Sequence, residues 1–210
     1  MEESINGSRK NKNPRPSNNS YLYGNAVAIA EVAALADQPE VARVYRNKAA
    51  AIKKKVQEKL WDSTANFFKV QFEDGTLSDA REEIGFIPWY FDLPDRGYEK
   101  AWAQLIDDQG FRAPFGITTA ERRHPLFRTH GSGHGCEWDG PVWPFATSQT
   151  LTALANVLNH YPQAFVNRAD YFNAIKTYVK SQHRNGKPYL GEYLDETNGD
   201  WLKGDAERSR

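Results

Sequence analysis

Two segments of this chain carry residues whose types and spacing could do chemistry. In Gly135-Cys136-Glu137-Trp138-Asp139-Gly140-Pro141-Val142-Trp143-Pro144, two indoles, two carboxylates, a Gly-Pro turn and a closing proline fall within ten residues. A buried strand would avoid the acids and the Gly-Pro break, and a solvated loop would avoid paired tryptophans. A concave site with stacking walls and placed carboxylates uses both. Sugars have flat apolar faces ringed by hydroxyls, so indoles can pack the faces while carboxylates accept hydroxyl protons. The run therefore predicts a carbohydrate site.

The second segment is Gly191-Glu192-Tyr193-Leu194-Asp195-Glu196-Thr197-Asn198-Gly199-Asp200-Trp201. Acidic turns are common and solvated, because Asp, Asn and Gly are what turns use. Here, however, Glu192 is bracketed in sequence by Tyr189, Tyr193 and Trp201, rings that could limit its solvation and tune it for proton chemistry. Glycosidic hydrolysis needs one group to protonate the leaving oxygen and another to activate water or attack the sugar. As partners for Glu192 the residues offer Asp139, Glu137, Glu82 or Glu83, and the Glu2-Glu3 pair, and nothing in the sequence places one of them across a pocket. His130-x-x-x-His134 sits among glycines with no carboxylate-histidine pattern of a zinc site, so neither a metal nor a cofactor is expected. The single cysteine, Cys136, cannot close an internal disulfide and reads as packing.

These segments need elements to hold them, and the periodicity is helical. The first twenty residues read as a polar, broken loop. From Tyr21 to Ala36 alanines alternate with Val27, Ile29, Val32 and Leu35 on a helical stripe that Asp37-Gln38-Pro39 ends. Val41, Tyr45, Ala49, Ile52, Val56 and Leu60 make the apolar face of a second helix. Phe67 to Phe72 shifts toward period two, with Asp74-Gly75 as a turn, so a short hairpin is expected. Glu83–Leu93 and Tyr98–Gln109 predict two further helices, with Pro88 opening the working part of the first. After the long loop 111–144 come helices over Ala146–His160 and Phe165–His183, the latter starting near Asn167 or Asp170. The final polar loop runs from Asn185. Trp89 and Tyr90 read as core or as a ring wall.

The order is helix pair, loop, helix pair, loop, helix pair, without a short fixed repeat. That predicts an all-α toroid of helical hairpins with a short β-hairpin and long loops, in one domain over residues 1–210. Lysine plus arginine, 27, equals aspartate plus glutamate, 27, so no net field steers the chain toward nucleic acid or an anionic membrane. No stretch approaches the apolar length of a membrane span, and no signal peptide is visible. Compartment and oligomeric state are not legible.

Glu137-Trp138-Asp139-Gly140-Pro141-Val142-Trp143-Pro144, followed by Ala146 to Thr150 and then by Glu192-Tyr193 with Thr197 and Gly199, resembles the inverting helical-barrel glycosidases. The similar group is the mannosylglycerate-hydrolase-like set, related to glycoside hydrolase family 63 and more distantly to trehalases. The resemblance covers nearly the whole chain. It implies an (α/α)6 barrel, an inverting mechanism and a catalytic base at Glu192, although Tyr193 follows directly where relatives often insert a residue. It implies a general acid in an early segment ahead of Arg15-Pro16 and Ser20-Tyr21-Leu22-Tyr23, at Glu2 or upstream of Met1. Twelve barrel helices exceed this length, so the expectation is a barrel incomplete at both ends. Phe115 to Arg122 resembles the segment that shapes the pocket; a loop with a helix cap at Thr118 or Thr119 is its plain reading.

The resulting expectation is a carbohydrate-active chain in which Glu192 activates water and Glu2 protonates the glycosidic oxygen. Trp138 and Trp143 form the sugar platform. Asp139, Arg15, Tyr23, Glu137 and Tyr193 complete the binding set. The rivals are a sugar epimerase or lyase of the same toroid, using His130, His134 or Tyr193, and a sugar-binding helical fragment without catalysis.

Overall fold

The computed structural model describes Ile5 and residues 13–128 and 137–203. The elements are α1 (Pro16–Leu35), α2 (Pro39–Leu60), two 3₁₀ helices (Glu83–Phe91 and Glu99–Leu105), α3 (Pro144–His160) and α4 (Arg168–Ser181). Four two-stranded antiparallel pairs decorate the loops: β1 (Trp61–Asp62) with β2 (Phe67–Phe68), β3 (Arg112–Ala113) with β4 (Gly116–Ile117), β5 (His183–Arg184) with β6 (Lys187–Pro188), and β7 (Tyr193–Leu194) with β8 (Trp201–Lys203). The chain is all-α in class, and among the described residues no helix is long and apolar enough to cross a membrane.

Proline sets three of the helix starts, since its fixed φ suits the first turn and its missing N–H is unneeded there. Pro16, Pro39 and Pro144 all stand at that position. Pro16 is why the expected opening loop ends early. α4 begins as its sequence promised: Asn167 accepts from the backbone of Ala169 and Asp170, and Asp170 answers with a bond from Asn167 N. The two middle helices are 3₁₀ rather than α and shorter than expected. Pro88 lies inside the first one, where it cannot donate to an α ladder, and Gly85 weakens the same stretch.

α1 departs from its expected face. Val32 and Leu35 are exposed, as is Ile29 in part, while Ser17, Ser20, Ala26, Ala30 and Ala33 are buried. Small residues let backbones approach closely: a Cβ on Gly24 would lie 2.3 Å from the Phe91 ring. That close approach beds the 83–91 helix against α1, and the same helix packs along α3. Thr150 reaches Glu83, Asn156 Nδ2 donates to the carbonyls of Trp89 and Tyr90, and His160 meets Asp92, so α3 and the 83–91 helix run in the same sense. α2 packs on α1 and α4 on α3, and Phe86 and Trp89 of the 83–91 helix meet Trp102 of the 99–105 helix, which makes three helix pairs with the 83–91 helix between α1 and α3.

An aromatic core binds the pairs. Phe67, Phe86, Phe111, Trp89 and Trp102 are completely shielded from water. Phe86 stands 4.6 Å from Trp102 and 5.0 Å from Phe67, edge-on to the latter. Trp89 is thereby core, and Tyr90 flanks it. The residue 61–77 region forms the expected hairpin in two parts, β1–β2 and a bridge between Gln71 and Leu77 around the Asp74-Gly75 turn. The region after Asn185, expected as plain loop, carries β6, β7 and β8.

Candidate active site

Residues 137–143 close into a tight loop in which Trp143 Nε1 donates to the Glu137 carbonyl at 2.5 Å. Two anchors fix it. The Thr119 hydroxyl donates to the Pro141 carbonyl and accepts from Gly140 N, each at 3.1 Å. Val142 exchanges both backbone bonds with Leu194, at 2.9 and 3.0 Å. This bridge joins the two chemistry-bearing segments and sets Tyr193 beside Trp143. Gly140 has φ +157°, and a Cβ there would sit 2.4 Å from Arg128 Cγ, so the loop's close approach requires glycine.

The rings then stack. Trp138 lies 4.3 Å from Trp143 at 21°, and Trp143 lies 4.9 Å from Tyr193 at 13°. Two rings so nearly parallel to the indole must occupy its opposite faces, and with Ala146 they form one buried cluster. Trp143 thus has both faces covered by rings. Trp138 and Tyr193 are themselves buried, at 7% and 3% exposed, so the stack is a packed cluster with little ring face at the surface.

Carboxylates flank it in the chain. Asp139 is 6% exposed, and neither of its oxygens has a hydrogen-bond partner among the described residues. Its carbonyl accepts from Arg128 N at 2.8 Å. Glu137 and Glu192 are partly exposed at the two ends of the stack's chain segments. Arg128 binds Glu196 at 3.0 Å and Asp195 at 3.4 Å, clamping the late loop to the stack loop. Burial pushes the Glu196 carboxyl up against the opposing pull of Arg128. Asp195 also feels burial, but hydrogen bonds from Thr197 and Asn198 and the Arg128 charge outweigh it and hold the carboxyl low. Tyr189 and Trp201, expected around Glu192, pair edge-on with each other at 5.4 Å.

A second polar group lies where the helices begin. Glu83 is 1% exposed; Thr150 donates to one of its oxygens at 2.9 Å and the other is buried with no partner among the described residues. Burial drives the Glu83 carboxyl well above the usual carboxylate range, with the Thr150 bond opposing. Its neighbour Glu82 accepts from Ile5 N at 2.9 Å. At the start of α1 the side chain of Asn13 and the hydroxyl of Ser17 are likewise buried without partners among the described residues. Buried polar groups of a folded protein are nearly always hydrogen-bonded, so such orphans point to water or a ligand.

The structure therefore brings Trp138, Trp143, Tyr193, Asp139 and Glu137 together, with Glu192 adjoining in the chain. Arg15 is buried at the N-cap of α1. Tyr23 packs against the main core instead of the ring stack. Its neighbour Tyr21 reaches α3, where Gln149 Nε2 donates to its hydroxyl. Glu2, Glu3, His130, His134 and Cys136 lie outside the described residues. The sequence offered Thr119 only a capping role and gave no sign of Arg128, whose work is visible only once residues 119, 128, 140 and 195 are neighbours; Gly140 was the one local signal.

The family model for the mannosylglycerate hydrolase MGH1-like glycoside hydrolase domain matches residues 2–207. A solved structure named Sialidase is 51% identical with a TM-score of 0.94, covering 100% of this chain and 19% of its own. Glycoside hydrolase family 63 mannosylglycerate hydrolase from Thermus thermophilus, in complex with glucose, is 19% identical with a TM-score of 0.71, over 91% of this chain and 44% of its own. Neutral trehalase Nth1 from Saccharomyces cerevisiae is 16% identical with a TM-score of 0.67, over 87% of this chain and 34% of its own. No curated protein matches. The likeness to the last two shows the fold, the (α/α)6 barrel. This chain spans under half the length of each of these structures.

Proposed function

The chain belongs to the mannosylglycerate hydrolase MGH1-like glycoside hydrolase family, and we propose that it serves hydrolysis of an O-glycosidic bond with inversion at the anomeric carbon. Glu192 takes a proton from water as the water attacks the sugar, and Glu2 gives a proton to the departing glycosidic oxygen. The sugar lies against the outer rings, Trp138 and Tyr193, which Trp143 holds in place from between them, with Asp139, Glu137 and Arg15 holding its hydroxyls. Tyr23 steadies α1 from the core side. No metal or cofactor enters these steps.

The observation that carries this reading is the juxtaposition of the three-ring stack with Asp139, a buried carboxylate whose two oxygens have no partner among the described residues. Stacked rings beside an unsatisfied acceptor are a pairing that a polyhydroxylated ring can complete. The charges favour a neutral sugar. Asp139, Glu137 and Glu192 are three acids against the single cation Arg15 in this set, and Arg128 is already taken by Asp195 and Glu196. A sialidase acts on an acidic sugar, which this balance of charge opposes.

The test is hydrolysis of neutral aryl glycosides, with the product anomer followed by proton NMR. Inversion, and a fall in kcat of at least about 100-fold in Glu192→Gln, are expected. Azide should rescue Glu192→Ala by giving the azide of inverted configuration. Retention of configuration, or an active Glu192→Gln enzyme, would refute the mechanism. Sugar binding by the folded chain without any hydrolysis would refute the enzymatic reading itself.

A further inference from the structure

Beside the ring-stack loop, whose Val142 lines it but whose three stacked rings do not, a cavity of about 150 Å³ lies between the β3–β4 hairpin, the start of α3 and one face of α4. Ile117 and Val142, both buried, make its floor. Phe115 and Tyr178, partly exposed, make its walls. Arg112, Asp170 and Asn173 stand at its rim. A core void of about that volume takes up a benzene-sized molecule, so the ring atoms of a pyranose fit inside while its substituents must reach out through the mouth.

The rim states what kind of ring. Arg112 uses only Nε, which donates to Asp108 at 2.7 Å, leaving both terminal nitrogens with no hydrogen bond among the described residues. Asp170 spends one oxygen on its capping bond from Asn167 N and keeps the other. The Asn173 carboxamide and the Tyr178 hydroxyl form no side-chain hydrogen bond among the described residues, and Asn173 is exposed. Donors and acceptors therefore line the same cavity as the apolar Ile117 and Val142. Asp170 and Asp107 are close enough to act on the Arg112 charge, as Asp108 does, so this cation faces three anions. That balance repels carboxylate, sulfate and phosphate ligands. An occupant with an apolar face, several hydroxyls and no charge fits all three features.

We propose that this cavity is a second saccharide-binding site, taking one neutral pyranose unit and separate from the ring stack around Trp143. It rests on the cavity's own residues and does not depend on the assignment of Glu192. Its use would be to hold a second sugar unit of an oligosaccharide, or a free sugar, on the α4 side of the domain.

The test is titration of the isotope-labelled 210-residue chain with methyl glucoside, methyl galactoside and methyl mannoside, followed by amide NMR. At least one should shift residues 112–117 and 170–181 with a Kd of about 1 mM, the affinity a ligand of monosaccharide size ordinarily reaches. Asn173→Leu, on an exposed helix position, should weaken that binding about five-fold, and Ala174→Trp should abolish it by filling the void. Trp138→Ala should leave it unchanged, which keeps its outcome distinct from that of the catalytic reading. No shifts in these residues at ~100 mM sugar, far above that Kd, would overturn the proposal. So would equal binding of methyl glucuronide, whose carboxylate the rim should reject, or unchanged binding in Asn173→Leu.

Discussion

Replacing Glu83 by glutamine tests whether a buried acid is held neutral where the helix pairs meet. The carboxyl is 1% exposed, receives one hydrogen bond, from Thr150, and has its other oxygen buried without a partner among the described residues. Burial raises its folded-state pKa well above 4.5, against which the Thr150 bond works. In the unfolded chain the group is an ordinary glutamate. Between the unfolded and the raised folded value, the folded protein therefore holds a proton that the unfolded chain has lost, and stability falls as pH rises through that window. The loss approaches about 1.4 kcal/mol for each pH unit inside the window and is zero below it. Glutamine keeps the shape and can still accept from Thr150, but it has no proton to lose. Glu83→Gln should match the wild type near pH 4 and grow progressively more stable than it toward neutrality. Urea unfolding across pH 4 to 8, with the midpoint converted through the common m-value, reads the difference. Parallel stability profiles for the two proteins would refute the claim that Glu83 is folded into the interior as an acid.

Two further substitutions test the geometry of the loop. Gly140→Ala places a Cβ 2.4 Å from Arg128 Cγ at a positive φ, and should cost at least about 1 kcal/mol, seen as a lowered thermal midpoint; an unchanged midpoint would show that the loop is held otherwise. Trp143→Ala removes the middle ring of the stack and should cost about 3–5 kcal/mol in urea unfolding, whereas a loss under about 1 kcal/mol would mean the stack is not part of the folded core.

Much of the fold was legible because the signals were local. Asn167 and Asp170 are three residues apart and cap α4 by themselves, and the apolar spacing of Ala49, Val56 and Leu60 survives as a buried face. α1 was misread for the opposite reason. Its Val32 and Leu35 look like a core stripe, but the ring of the 83–91 helix comes so close at Gly24 that only small residues fit on that side. Which face of a helix is buried depends on its neighbour's shape, and hydropathy does not contain it. The same holds for Glu83–Phe91, whose apolar run promised an α-helix until Pro88 and Gly85 are weighed.

The candidate site divides along the same line. Trp138, Asp139 and Trp143 announce themselves within six residues, so their chemistry could be read early. Their arrangement could not. Trp143 as a platform presumes a free indole face, yet Trp138 and Tyr193 occupy both, because the Val142–Leu194 bridge draws the late loop against the early one. Stacking contributes about 0.5–1.5 kcal/mol per pair beyond the area it buries, so the middle ring is better placed to hold the loops together than to meet a ligand. Binding should then depend more on the outer rings than on Trp143. It follows that Trp143→Phe, which keeps an aromatic face against both neighbours, should retain sugar affinity at the ring stack, while Trp138→Ala should lose affinity there and keep any binding in the α4 cavity.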